Sequence, residues 1–150
     1  LLFAILGAMQ VSRDLTIAIH MLLCISHFHD ENNVTSRFLA ESVGVNPVII
    51  RRLLVKLKDA GLITVRPGTG GASLAKDTKD ISLYDIYQAV GCGQRKVFAF
   101  HENPNPRCPV GGNIHNLLDD RLDILQKTME TEMKTMSLNE LIADLNARTR

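Results

Sequence analysis

The stretch TSRFLAESVGVNPVIIRRLLVKLKDAGLITVRPGTGGASLA, residues 35–75, decides the fold. Leu39, Ala40 and Val43 form a short apolar face, and Gly44 then supplies the backbone freedom that a sharp turn between helices demands. Asn46 is a favoured N-cap and Pro47 suits the first helical position, where its missing N–H costs nothing. A second helix therefore starts there, and Gly61 closes it. Leu62 to Arg66 favours β structure, Pro67, Gly68, Thr69, Gly70 and Gly71 turn the chain, and Ala72 to Ala75 resumes it. Helix, tight turn, helix and glycine-rich hairpin in that order predict a winged helix-turn-helix, a DNA-binding device.

On the second helix, a rotation of about 100° per residue gathers Ile49, Ile50, Leu53, Leu54, Leu57 and Ala60 on one side. Val48, Arg51, Arg52, Val55 and Lys58 take the other. Guanidinium forks pair with guanine O6 and N7 or with phosphates, and a valine can touch a thymine methyl, so this face has the chemistry of the major groove. Taken without its neighbours, such a face is more often a solvated helix surface. The hairpin favours the DNA reading: its glycines let backbone amides approach phosphates, with Arg66 and Thr69 reaching toward a minor groove. A nucleotide-phosphate loop at GTGG is disfavoured, because no Lys-Ser/Thr pair follows and a strand comes next. The candidate DNA contacts are Ser36, Asn46, Val48, Arg51, Arg52, Val55, Arg66, Thr69 and Gly70.

Working outward, a first helix over about Ser12 to His29 is apolar around most of its circumference through Leu15, Ile17, Ile19, Met21, Leu22, Leu23, Ile25 and Phe28, and is expected to be largely buried. His20, Cys24 and His27 stack in the gap of that wrap. They are a possible zinc ligand set, or, with no fourth ligand nearby, satisfied polar contacts in a core. Ser82 reads as the N-cap of a helix with Leu83, Ile86 and Val90 on one face and Gly91 at its end. The segment CGQRKVFAFHENPNPRCPVGG is a loop long enough to be functional. A long helix from about Asn113 to Met136 carries Ile114, Leu118, Leu122, Leu125, Met129, Met133 and Met136 in a three-and-four stripe that wants a partner helix. Ser137 and Glu140 then form a capping box for a short helix bearing Leu138, Leu141, Ile142 and Leu145.

With 150 residues, 45% of them hydrophobic, and a net charge of +1, the chain builds one ordinary core and is neither disordered nor generally basic. Its charge is segregated. Arg51, Arg52, Lys56, Lys58, Arg66, Lys76 and Lys79 face only Asp59 and Asp77, whereas Asp119 to Asp144 holds seven acidic residues against Arg121, Lys127 and Lys134. A basic head and an acidic tail suit a nucleic-acid binder. The opening LLFAILGA has neither the charged n-region of a signal peptide nor the ~20 apolar residues of a membrane span. Residues 1–8 are expected to be a cloning scar or translated leader before a start at Met9, and the protein cytoplasmic.

The run FLAESVGVNPVIIRRLLVKLKDAGLITVRPGTGGASLAK with DISLYDIYQAVG resembles the Rrf2 family of bacterial winged-helix transcriptional regulators, over nearly all of the chain from Met9. The family's AGL-to-GGxxLA pattern stands here as Ala60, Gly61, Leu62 and Gly70, Gly71, Leu74, Ala75. The resemblance implies a homodimeric DNA-binding regulator, usually a repressor, with a long C-terminal dimerisation helix and a sensory loop before it. The expected fold is thus mainly α with a small β wing. The winged helix-turn-helix region is placed at 9–90, the sensory loop at 91–112, and the dimerisation helix with a C-terminal helix at 113–150. The expected partners are a second copy and double-stranded DNA with a near-palindromic operator, and no membrane.

Cluster-binding relatives carry three closely spaced cysteines in that loop, whereas this chain keeps only Cys92 and Cys108, far apart. His101 and His115 could complete a mixed site, but the ligand count argues against a cluster, and no cofactor or metal is assigned. A thiol switch at Cys92 or Cys108, with Cys24 as a further candidate sensor, fits better: an exposed loop cysteine beside Arg95, Lys96 or Arg107 would have a lowered pKa. Equally, these cysteines are simply packed or idle. No nucleophile, base and orienting group share a recognisable spacing, so no catalytic activity is expected. The competing readings are a small metal-dependent or redox enzyme using the His and Cys residues, and a dimeric interaction module that does not bind DNA.

Overall fold

The computed structural model describes residues 2–29 and 33–150 and, in the first helix, side chains from Arg13 onward. In it, Gly44 takes φ +76° and turns α2 (Ser36–Val43) into α3 (Pro47–Asp59). Thr35 caps α2 by accepting from the Phe38 amide, and Asn46 caps α3 by accepting from the Val48 amide, with Pro47 in the first turn as expected. Gly61, also in the left-handed region at φ +72°, releases the chain into β1 (Ile63–Val65). β1 pairs antiparallel with β2 (Ala72–Leu74) in the register Ile63 to Leu74, Thr64 to Ser73 and Val65 to Ala72.

α1 runs over Leu2–His27 and packs on α2, α3 and β2 and on two later helices, α4 (Leu83–Ala89) and α6 (Leu138–Arg148). It extends further toward the N-terminus than the expected start near Ser12, and the side chains of residues 1–8 lie outside the described residues. Its core face is Ile17, Ala18, Met21, Leu22, Cys24 and Ile25, while Ile19, Leu23 and Phe28 are only half-buried. Cys24 is thus largely buried, with its thiol against Ser42 of α2, while His20 and His27 stay exposed. Ile50, Leu53, Leu54 and Leu57 of α3 meet this face, with Ile81, Ile86 and Leu138 closing the core. Ala60, expected inward, is exposed at the helix end.

Two capping boxes lie side by side. Ser82 with Asp85 starts α4 and Ser137 with Glu140 starts α6, and the two serines form an antiparallel bridge through Leu83 N–H to Met136 C=O (2.9 Å) and Leu138 N–H to Ile81 C=O (2.8 Å). The helix starts are thereby locked together. Between them runs α5 (Ile114–Thr135), which packs along α4. None of its residues is fully buried: Met129 and Met133 touch the core, whereas Leu117, Ile124, Leu125 and, just beyond it, Met136 are exposed. The expected stripe is therefore split: Ile114, Leu118, Leu122, Met129 and Met133 are half-buried, whereas Leu125 and Met136 face outward.

Candidate nucleic-acid interface

α3 presents its outer face as predicted. Val48 and Val55 are 61% and 57% exposed, Arg51 lies between them, also exposed, and Lys58 follows. Among the described residues Arg51 has no hydrogen bond or ion pair, so its guanidinium is unspent. Apolar tips flanking a free guanidinium match the methyl and acceptor pattern of a major groove. Asn46 differs: its Oδ1 is committed to the Val48 amide at 2.9 Å, which makes it a helix cap first. Ser36 opens α2, half-buried.

Arg52 also differs. Its Nη2 donates to Asp14 Oδ1 of α1 at 2.8 Å, with the Asp14 side chain only 8% exposed and that of Arg52 41%. A guanidinium engaged by a buried carboxylate braces the helix and is not offered to DNA in the way Arg51 is. One turn on, Lys56 donates from Nζ to the Val90 carbonyl at the end of α4 at 3.0 Å. α3 is thus clasped on its flank from α1 and from α4. Asp14 carries a readable signal, an acid on an otherwise apolar helix, but its partner stands 38 residues away.

The wing is built as expected and anchored by residues not anticipated. Arg66 closes the hairpin by donating its N–H to Gly71 C=O (2.8 Å) and accepting at its C=O from Gly70 N–H (3.0 Å), which leaves its side chain exposed beside Thr69. Gly70 takes φ +69°. Ala72 N–H donates to Val34 C=O (2.9 Å), and Asn33 Nδ2 donates to Thr69 C=O (3.3 Å). A Cβ at Gly71 would overlap the end of the Asn33 side chain, so a larger residue there would push that amide off the wing.

The three cysteines sit in three environments, and none is in a disulfide. Cys92, expected exposed, is buried in the short 3₁₀ turn Cys92–Gln94; burial pushes its thiol pKa up, the nearby Asp14 charge adds to that, and Lys56 opposes it. This corrects the expectation of an activated thiol there. Cys108 is the thiol with a lowered pKa, held down by the backbone N–H groups of Gly111 and Val110 and not by Arg107. Cys24 is buried beside Ser42.

His101 and His115 do not converge on a cysteine. They stack on Phe100, at centroid distances of 5.1 and 4.0 Å, and His115 Nδ1 lies 3.0 Å from Asp119. The loop is pinned to α5 by Lys96 to Asp123 (3.4 Å) and by Val97 N–H to Gln126 Oε1 (3.1 Å). On α1, His20 contacts Ser42 and His27 sets its ring edge-on to Phe28. Among the described residues, no three His, Cys, Asp or Glu side chains are grouped to hold a metal ion.

Residues 11–144 match the family described as Rrf2, Iron-dependent Transcriptional regulator. The iron of that description finds no ligand set among the described residues of one subunit. The chain is 44% identical over 136 residues to the Bacillus subtilis (strain 168) protein named "Putative HTH-type transcriptional regulator YwnA", covering 91% of this chain and 99% of that one. Among solved structures, one titled a putative DNA binding protein is 40% identical with a TM-score of 0.68, covering 86% of this chain and 98% of its own. A second, titled a putative transcriptional regulator from Lactobacillus plantarum, is 28% identical with a TM-score of 0.73 and 89% coverage of each chain. The helix-turn-helix, its wing and this match over most of the length lead to one conclusion: the chain belongs to the Rrf2 family of transcriptional regulators.

Proposed function

We propose that the protein is a homodimeric, sequence-specific DNA-binding repressor that reads a near-palindromic operator and catalyses no reaction. The observation that carries this is the outer face of α3, where Arg51 stands exposed between Val48 and Val55 beside the Arg66–Thr69 wing. On this reading Val48, Arg51 and Val55 meet base edges, while Ser36, Arg66, Thr69 and Gly70 take phosphates or the minor groove. Asn46 and Arg52 shape and hold the helix.

The exposed apolar side chains of α5, with Ile124 at 62%, support twofold pairing through that helix. Two recognition helices then address half-sites about 34 to 36 Å apart, or a multiple of that. Residues 9–90 form the reading head, 91–112 the sensory loop and 113–150 the assembly region. No helix among the described residues is long and apolar enough to cross a membrane, and a cytoplasmic site of action fits a DNA ligand. Selection of bound genomic fragments, followed by transcription from the selected promoter with and without the protein, tests this reading. Fragments with dyad symmetry and reduced transcript support it, and retention without sequence enrichment contradicts it.

A further inference from the structure

Ser42 of α2 joins two side chains of α1. Its Oγ lies 3.1 Å from His20 Nε2 and 3.2 Å from Cys24 Sγ. A hydroxyl has one proton to give and lone pairs to receive. One polarity of this chain therefore runs Cys24 S–H to Ser42 Oγ and Ser42 O–H to His20 Nε2, a path from thiol to imidazole through one hydroxyl. The same cysteine lines a cavity of about 490 Å³ between α1 and α6, walled by Ile19, Leu23, Phe28 and Leu145 with His20 beside the thiol. A mainly apolar cavity with a nucleophile and a base on one wall selects small, neutral, apolar molecules.

We infer that Cys24, Ser42 and His20 form a covalent capture site for neutral α,β-unsaturated carbonyl compounds that enter this cavity. The step is a conjugate addition. The Cys24 thiol passes its proton along Ser42 to His20, sulfur bonds to the β-carbon, and the C=C electron pair moves onto the carbonyl as an enolate. The proton returned from His20 then quenches the enolate carbon. Nothing leaves, and no oxidant is consumed. The adduct leaves Cys24 without the thiol proton it can share with Ser42 of α2, the first helix of the helix-turn-helix, so capture loosens that tie between α1 and α2 and with it the presentation of α3. That last link to DNA rests on the function proposed above.

N-ethylmaleimide is the neutral probe and a sulfonated maleimide the charged one, with modification followed peptide by peptide by mass spectrometry. In the intact chain, Cys24 is expected to react with N-ethylmaleimide and to be spared by the sulfonated reagent, while Cys108 reacts with both. Ser42→Ala, His20→Phe and His20→Gln are each expected to slow Cys24 by about a hundredfold, the lower end of general base catalysis, with Cys108 unchanged as an internal control. His20→Gln keeps a hydrogen-bonding group without a base, so its slowing separates proton transfer from packing, and melting curves verify that each variant is folded. Equal rates in parent and folded variants, or equal labelling by the two reagents, overturn the site. Operator binding of the unmodified protein is measured alongside. If it binds and the Cys24 adduct binds equally well, the coupling fails, whereas absence of binding before modification refutes the proposed function instead.

Discussion

Removing Arg52 should cost folding stability more than it costs base recognition, and the Asp14–Arg52 pair gives the size. Stripping the partner from a fully buried charge costs ~3–5 kcal/mol, while an exposed pair is worth ~0–1. Here the carboxylate is 8% exposed and the guanidinium 41%, so the two directions differ. Arg52→Ala leaves a buried carboxylate alone and should cost about 2 to 3 kcal/mol, whereas Asp14→Ala frees an arginine that can swing into water and should cost about 1. The double variant should be no less stable than Arg52→Ala, giving a coupling of about 1 to 2 kcal/mol in a cycle of urea unfolding curves. Since Asp14 is buried, its loss should also weaken operator binding without changing the salt slope. If Arg52→Ala unfolds like the parent yet loses sequence discrimination, Arg52 reads bases and the clasp assigned here is wrong.

Cys108 should be alkylated by iodoacetamide at a pH below that needed for an ordinary thiol, because the amides of Gly111 and Val110 hold its thiolate, while Cys92 should react only on unfolding; labelling followed against pH checks both. Ile124→Glu should shift sedimentation toward monomer with the melting temperature nearly unchanged, since the side chain is exposed within one chain. The folded pKa of Glu140 is depressed by hydrogen bonds from the Ser137 amide and hydroxyl, so its contribution is complete above the ordinary value of 4.5 and is lost as pH falls through the lower folded value. Unfolding of the parent and Glu140→Ala should therefore differ at neutral pH and converge in acid.

Local chemistry was legible and distant pairing was not. Asn46 with Pro47, Ser82 with its helix, Ser137 with Glu140, and the wing glycines act within a few residues, so each could be read from adjacent letters. The free face of α3 followed from periodicity alone. Arg52 could not be told from Arg51, because which flank of α3 meets Asp14 depends on how two helices cross. Cys92 looked like a loop thiol by composition, yet the turn after Gly91 tucks it into the core. His101 and His115 have the composition of ligands, but both stack on Phe100, a contact no spacing announces. Ser42 carries no sequence signal in a short polar helix, and only the packing of α1 against α2 gives it two partners.

The central claim, that the outer face of α3 reads base sequence, is tested most directly by fluorescence anisotropy of the selected operator and a scrambled duplex against parent and Arg51→Ala across a salt series. Loss of a base-reading arginine should cost about 1 to 3 kcal/mol on the operator and little on the scrambled duplex, with a nearly unchanged salt slope. Parent-like operator affinity in a folded Arg51→Ala dimer, or an equal loss on both duplexes with a reduced salt slope, would contradict it.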